Sequence, residues 1–325
     1  MSTPPKYTQR CLMCHREFGR EYRTRCPDCA GLVEILYDLS TATLRESPDP
    51  YVRFFDLLPI EDPANLLPLG DGRTPCVHVE RLGSSMGLDN VFVKVEGTNP
   101  SGTTKDRMAA VVLSLFHELG LREFVTSSTG NSSNALARGI EKHPHFLMHL
   151  FIGEDFAPRF RYDHDGVRLH VLSGLDFTEA FNVSRAYAHD TGLPFEAGFF
   201  NPARREGLKM AYLEAVDQIP MDIDWYVQAS SSAMGVYGTA KGARELLELG
   251  RISRIPAMVC VQQESCAPIV RAFERGLPSI PDELVVQNPQ GIAEAILRGD
   301  PRGCYPYVYS MLTETGGTAV SVSEW

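Results

Sequence analysis

From residue 88 onward, short apolar runs alternate with longer stretches whose apolar positions recur every three to four residues. LDNVFVKVEG is followed by KDRMAAVVLSLFHELG, REFVTSS by SNALARGIEKH, and FLMHLFIG and VRLHVLSG by DFTEAFNVSRAYAHDTG. The rhythm continues through PFEAG, REGLKMAYLEAVDQI, WYVQASSS, GTAKGARELLELG and AMVCVQQ. The short runs predict strands and the long ones amphipathic helices. Their alternation predicts parallel βαβ units and an α/β fold. Trp225 and Tyr226 head an apolar run and read as core. Upstream, residues 38 to 75 are rich in Pro, Asp and Leu and read as a linker that enters a strand near LLPLGDGRTPCVHV.

Composition narrows the class. The chain has 325 residues, 43% hydrophobic and 22% charged, a balance that suits about two compact domains. Its 41 acidic against 31 basic side chains give a net charge of −10, which argues against a non-specific grip on nucleic acid or an anionic membrane but not against a local basic pocket. The start, MSTPPKYTQRCLMC, shows no apolar core of a signal peptide, and no run reaches the ~18 apolar residues of a membrane span. A cytoplasmic protein is expected.

Four of the eight cysteines, Cys11, Cys14, Cys26 and Cys29, form CLMC and CPDC pairs separated by eleven residues. Two CxxC turns can close a tetrahedron of thiolates around Zn2+, with no position left open for substrate, so such a site is structural. It would hold together residues 8 to 37, too few to bury a core alone. A redox pair or four spare thiols are the alternatives, and His15 reads as solvated rather than as a ligand. Cys76, Cys260, Cys266 and Cys304 read as small core residues.

Three loops are rich in small polar residues: EGTNPSGTTKDR, SSTGNSSN and QASSSAMG. In an open α/β sheet such loops end strands and begin helices, where anions bind. Neither GxGxxG nor GxxxxGK[ST] is present, which removes most support for nicotinamide or nucleoside triphosphate chemistry. Lys105 starts a helix among glycine and hydroxyl residues, a setting that disfavours its ammonium form and frees the amine for Schiff-base chemistry. Taken alone, the local sequence favours an exposed lysine paired with Asp106; the company of the other two loops shifts the balance. Asp106 and Arg107 read as an ion pair at the helix start, and Arg205 and Lys209 as solvated helix residues.

These residues resemble a family. NPSGTTKDR at 99 to 107 is similar to the lysine motif of fold type II, pyridoxal phosphate (PLP) dependent enzymes, and SSTGNSSN at 127 to 134 to their substrate loop. NPARREGLK at 201 to 209, the stretch from GVYGTAKG at 235 to FERG at 276, and GGTAVSVSE at 316 to 324 narrow the likeness to the threonine synthase branch of the tryptophan synthase β-like enzymes. The resemblance implies two-lobed parallel or mixed sheets flanked by helices, with an N-terminal zinc ribbon over residues 1–45. A large PLP-binding domain would take 46–107 and 205–325, and a smaller substrate-loop domain 108–204.

Carried onto this chain, the resemblance implies that Lys105 bonds covalently to PLP and later moves protons. Asn131 would bond the cofactor's phenolic oxygen. Ser128, Thr129, Gly130 and Ser132 would hold the substrate carboxylate, and Ser230, Ser231, Ser232, Ala233, Met234 and Gly235 the cofactor phosphate. Two departures stand out: the phosphate loop is usually glycine-rich, and members usually continue beyond the GGTAVSVSE stretch, with a Ser or Thr there that contacts the pyridine nitrogen. The sequence ends at Trp325, so three expectations stand: the sequence is cut short, another chain or region supplies that contact, or the site is incomplete and the activity altered. A homodimer is expected by the same resemblance. The implied function is conversion of O-phospho-L-homoserine to L-threonine. β-Replacement or dehydration on phosphoserine, acetylserine or threonine is the alternative, and a non-catalytic, partner-binding homologue the alternative of another class.

Overall fold

The computed structural model describes residues 5–324. At the N-terminus, β1 (Tyr7–Cys11) pairs antiparallel with β2 (Glu17–Phe18) and β3 (Val33–Tyr37), in the order β2-β1-β3. Alternate residues Tyr7, Gln9 and Cys11 point inward, as period-two strands require. Both CxxC turns close alike: His15 and Ala30, each just after the second cysteine, sit in the left-handed region at φ 60° and 57°. Their amides donate to the carbonyls of Cys11 (3.0 Å) and Cys26 (2.9 Å).

Residues 38 to 75 are packed chain rather than linker. Asp49 caps the short helix α1 (Pro50–Arg53), and Phe54, Phe55, Leu57, Leu58, Ile60, Leu67 and Leu69 are buried in the main core. The Pro and Asp that suggested a linker serve instead as helix starts and turns around these apolar anchors.

The rest alternates as the pattern predicts. A hairpin-like pair, β4 (Cys76–His78) and β5 (Phe92–Lys94), brackets α2 (Glu80–Met86). Then come α3 (Lys105–Glu118), β6 (Glu123–Ser127), α4 (Asn131–Lys142), β7 (Leu147–Gly153), β8 (Val167–Leu172) and α5 (Phe177–Thr191). The second half holds α6 (Pro202–Gln218), β9 (Trp225–Ala229), α7 (Met234–Glu248), β10 (Ala257–Gln263), α8 (Pro268–Glu274), α9 (Tyr305–Glu314) and β11 (Thr318–Val322). Two three-stranded parallel sheets result, β6-β7-β8 and β11-β10-β9. PFEAG makes only a single bridge, Phe195 to Val125, rather than a strand. Trp225 is 58% exposed and Val227 62%, because β9 is an edge strand with its outer face open, so Trp225 is not a core residue.

Helix α6 is buried along nearly its whole length between α3 and α7 despite its charges. A Cβ on Gly207 would lie 2.5 Å from the Arg107 carbonyl oxygen, and one on Gly238 2.5 Å from that of Arg205, so the three helices touch backbone to backbone. The polar residues on α6 are each paired. Arg205 and Lys209 are fully buried, not solvated: Arg205 donates to the carbonyls of Phe199 (2.5 Å) and Val33. Lys209 and Lys241 share Glu206 and Glu245, and the Tyr37 hydroxyl of the N-terminal sheet donates to Glu206 (2.8 Å). Arg107 does not pair with Asp106. It is buried against Glu96 (2.7 Å) and Glu214 (2.9 Å), while Asp106 accepts from the Ser101 amide (2.7 Å) and so fixes the loop before α3.

Candidate active site

The ends of β6 and β9 and the first residues of α3, α4 and α7 open onto one cavity of about 650 Å³. Its position, outside the carboxyl ends of parallel strands, is where an α/β fold leaves helix N-termini and loop amides free for ligands. Every site residue expected from the second and third loops, apart from Gly130, lines it, as does Lys105. Gly130 precedes α4 at φ 130°, a conformation that requires glycine, and a Cβ there would also press on Arg159 at 3.2 Å.

Of the six lysines, five spend their ammonium on oxygen: Lys6 on two carbonyls, Lys142 on one, Lys94, Lys209 and Lys241 on carboxylates. Lys105 alone makes no hydrogen bond or ion pair through Nζ among the described residues. Burial, and then the Arg204 charge, lower it from its ordinary 10.5 to about 8. An amine kept partly neutral and facing a cavity is a nucleophile in waiting. Covalent loading of a PLP aldehyde onto it should therefore accelerate with pH to a midpoint near 8 and then level off, because the neutral amine is the reactive form; stopped-flow absorbance at successive pH values measures this. A midpoint above 10 would contradict the assignment.

At the start of α7, among the described residues, no backbone amide from Ser231 to Gly235 is spent on another part of the chain, and the Ser231 and Ser232 hydroxyls make no hydrogen bond. These donors, added to the positive end of the helix, suit a phosphate. Ser230 differs: its amide bonds Val261 (2.8 Å) and its hydroxyl the Gln228 carbonyl (3.0 Å), so it shapes the loop rather than donating from it. Ala233 holds φ 57°, the conformation a glycine would take in a glycine-rich loop. Ala233→Gly should raise the melting temperature slightly, worth roughly 1 kcal/mol of relieved strain; a drop would show that the buried methyl matters more than the backbone.

On the opposite wall, the N-cap of α4 is Gly130, which has no side chain to cap with, and the Asn131 side-chain amide has no hydrogen-bond partner among the described residues. The Ser128 hydroxyl accepts from the amides of Gly130 and Ser133 (both 3.2 Å), holding the loop around α4's first turn. Thr129 donates to the Ala295 carbonyl (3.2 Å), which ties in the segment before α9. Ser132 accepts from Arg204 (3.1 Å), itself clamped by Glu196. The Ser127 hydroxyl is buried with no partner among the described residues. A free amine, a phosphate-sized set of donors, a free amide and an orphaned hydroxyl around one cavity fit a cofactor with an aldehyde, a phosphate and a ring hydroxyl.

The sequence reading missed the cavity's charge. Lys105 and five arginines, Arg25, Arg185, Arg204, Arg298 and Arg302, face a single lining carboxylate, Asp300. Glu196 balances Arg204, and Asp300 and Asp282 balance Arg302, which leaves Lys105, Arg25, Arg185 and Arg298 as positive groups with no carboxylate partner among the described residues, in a chain of net charge −10. Arg204 lay inside the quoted NPARREGLK motif and could have been found there; nothing local marks the others.

Comparison with known proteins gives the same reading. The family described as "Pyridoxal-phosphate dependent enzyme" matches residues 67–325. The chain is 31% identical to the threonine synthase of Methanosarcina acetivorans over 98% of this chain and 79% of that one. It is 27% identical to the cysteate synthase of Methanospirillum hungatei over 98% and 77%. Among solved structures, threonine synthase from Escherichia coli superposes with a TM-score of 0.66 at 14% identity, covering 98% of this chain and 78% of that one. Maize serine racemase superposes at 0.62 and 17%, covering 78% and 72%. The unpaired lysine at the mouth of a parallel sheet thus has a family around it, and the chain belongs to the pyridoxal-phosphate dependent enzymes as a threonine synthase-like lyase of fold type II.

Proposed function

We propose that the protein eliminates phosphate from O-phospho-L-homoserine and adds water at the β-carbon to form L-threonine. The observation that carries the reading is the unpaired Lys105 amine in a pocket whose other charges are almost all positive. Lys105 would hold the cofactor's aldehyde and, once released by substrate, take and return the proton at the substrate's α-carbon. Ser231 to Gly235 would hold the cofactor phosphate, and Asn131 its ring oxygen. Ser128, Thr129, Gly130 and Ser132, at the start of α4, would orient the substrate carboxylate. PLP, when bound, supplies the electron sink. The cationic wall favours a substrate whose leaving group is an anion.

A β-replacement on phosphoserine is the second reading, favoured by the cysteate synthases at 25% to 27% identity among the relatives. Cysteate carries a sulfonate on its β-carbon, an anion the same pocket would accept. Phosphate release from O-phospho-L-homoserine and from O-phospho-L-serine, with and without sulfite, separates the two. Faster release from the first, with threonine as product, is expected; release only from the second, and only with sulfite, would reverse the order.

The N-terminal sheet is proposed to hold a structural zinc ion. The Cys11, Cys14, Cys26 and Cys29 sulfurs all lie within 4.8 Å of one another, with Cys11 to Cys29 at 3.4 Å and Cys14 to Cys26 at 3.5 Å. A tetrahedron with Zn–S near 2.3 Å has edges of about 3.8 Å, which falls within the spread of these sulfur separations. The thiols titrate as a set: burial raises Cys11 but the amides of Cys14 and Met13 bring it down, while at Cys14 and Cys29 the amides of Arg16 and Gly31 pull downward but hydrogen bonds to neighbouring thiols raise both. Metal analysis should find about one zinc per chain. Its removal should expose the four thiols to titration and lower the unfolding temperature; four freely titratable thiols in the untreated protein would exclude the site.

A further inference from the structure

The ribbon reaches into the active-site cavity. Thr24 and Arg25, from the loop between the two CxxC turns, line the pocket that holds Lys105. Arg25 is held there from two sides: its guanidinium stacks on Phe200 at 3.4 Å from the ring centroid, and its Nη1 donates to the Ala30 carbonyl at 2.8 Å. Ala30 is the residue after Cys29, in the left-handed turn that closes the second knuckle onto the Cys26 carbonyl. Among the described residues the remaining donors of Arg25 make no hydrogen bond. Among the described residues Arg25, Arg185 and Arg298 make no ion pair with any carboxylate, and the pocket's one acid, Asp300, is bridged by Arg302 at 2.6 Å. Arg185 donates to the Asn182 side-chain oxygen at 3.2 Å, and Arg298 donates to the Asp300 carbonyl at 3.2 Å and lies over the Phe177 ring at 5.2 Å. Arg25 and Arg185 are exposed and Arg298 half-buried, so water solvates them; three guanidinium groups from three separate segments, around one cavity and with no carboxylate partner, leave their donors open to an anion through charge-assisted contacts.

We infer that Arg25, Arg185 and Arg298 form the subsite for the distal anion of the substrate, and that the four-cysteine ribbon, by delivering Arg25, makes affinity for that anion depend on its metal. The inference rests on the proposed amino-acid substrate with an anionic leaving group. It adds a specificity role for a site whose closed thiolate shell takes no part in the chemistry. Loss of the metal frees the second knuckle, the Ala30 carbonyl leaves Arg25, and one of three charges on the anion is withdrawn while Lys105 and the cofactor loop stay as they are.

Calorimetry on the zinc- and PLP-loaded protein tests this with two ligands that cannot turn over: 2-amino-5-phosphonopentanoate, in which a methylene replaces the ester oxygen, and L-norvaline, the same chain without the phosphonate. Arg25→Ala should weaken the phosphonate about ten- to hundredfold, the worth of one charge-assisted contact, and leave norvaline unchanged. Arg185→Ala, on α5 and outside the ribbon, should show the same split, and Arg25→Lys should recover part of the loss. Stripping zinc should weaken the phosphonate in the wild type to a similar degree and add little in Arg25→Ala. Equal losses for both ligands, no loss for the phosphonate, or a full further loss on stripping Arg25→Ala would each overturn the inference. If neither ligand binds the loaded wild type, the proposed substrate class fails on its own. Inorganic phosphate titrated alone then reads the subsite: binding weakened by Arg25→Ala upholds it, and binding unchanged refutes it.

Discussion

Replacing Lys105 by alanine should leave the fold standing and remove the catalysis. The side chain bonds nothing through Nζ, so no partner is orphaned, and alanine is a better helix former at the start of α3. Since burial already opposes its charge, the melting temperature should stay level or rise a little at neutral pH. Phosphate release should nevertheless fall by at least ~10²–10⁴-fold, the usual worth of a positioned proton carrier, and the visible absorbance of the loaded protein should vanish. A variant that keeps more than a tenth of wild-type turnover would move the catalytic role elsewhere.

The largest loss of stability should come from a residue far from the cavity. Lys209→Met removes one of two cations that balance Glu206 and Glu245 inside the helix layer and leaves a surplus buried negative charge. Breaking a buried pair in this way costs about 3–5 kcal/mol, a large part of the ~5–15 kcal/mol that holds a typical protein folded. Chemical denaturation should show it as an earlier midpoint. Adding Glu245→Gln to Lys209→Met should return part of the loss, because the charges then balance again; a double variant as unstable as the sum of both singles would mean that packing, not charge, is at stake. The N-terminal sheet should loosen in the single variant, since Tyr37 holds Glu206 and Val33 holds Arg205.

Much of this architecture was legible because it is local. The parallel units follow from the alternation of short and long apolar periods, and the CxxC pairs carry their spacing in the chain. The three polar loops also fall where strand ends meet helix starts. What escaped depends on where distant residues meet. Arg205 and Lys209 of α6 read as solvated because long charged side chains look like surface, and their partners, the Phe199 and Val33 carbonyls and Glu245, come from other segments that fold against the helix. Arg107 looked paired with its neighbour Asp106, yet its carboxylates come from residues 96 and 214. Trp225 carries a core composition on a strand that the sheet order leaves at its edge. The arginines of the cavity wall share no sequence neighbourhood, so no spacing could announce them.

The glycine contacts among α3, α6 and α7 act as a fixed gauge. α3 begins with the amine and α7 with the phosphate donors, and both rest on α6 with no side chain between them to yield. The span between those two points is therefore set by backbone thickness, which no rotamer can alter. A ligand that needs the site to tighten finds its give on the other wall, where α4 and its loop hold the segment around Ala295 through the Thr129 hydroxyl and, by way of Arg159, through an ion pair to Glu294. Alanine at 207 or 238 would wedge the gauge open and lengthen the reach from amine to phosphate while every named donor stayed in place.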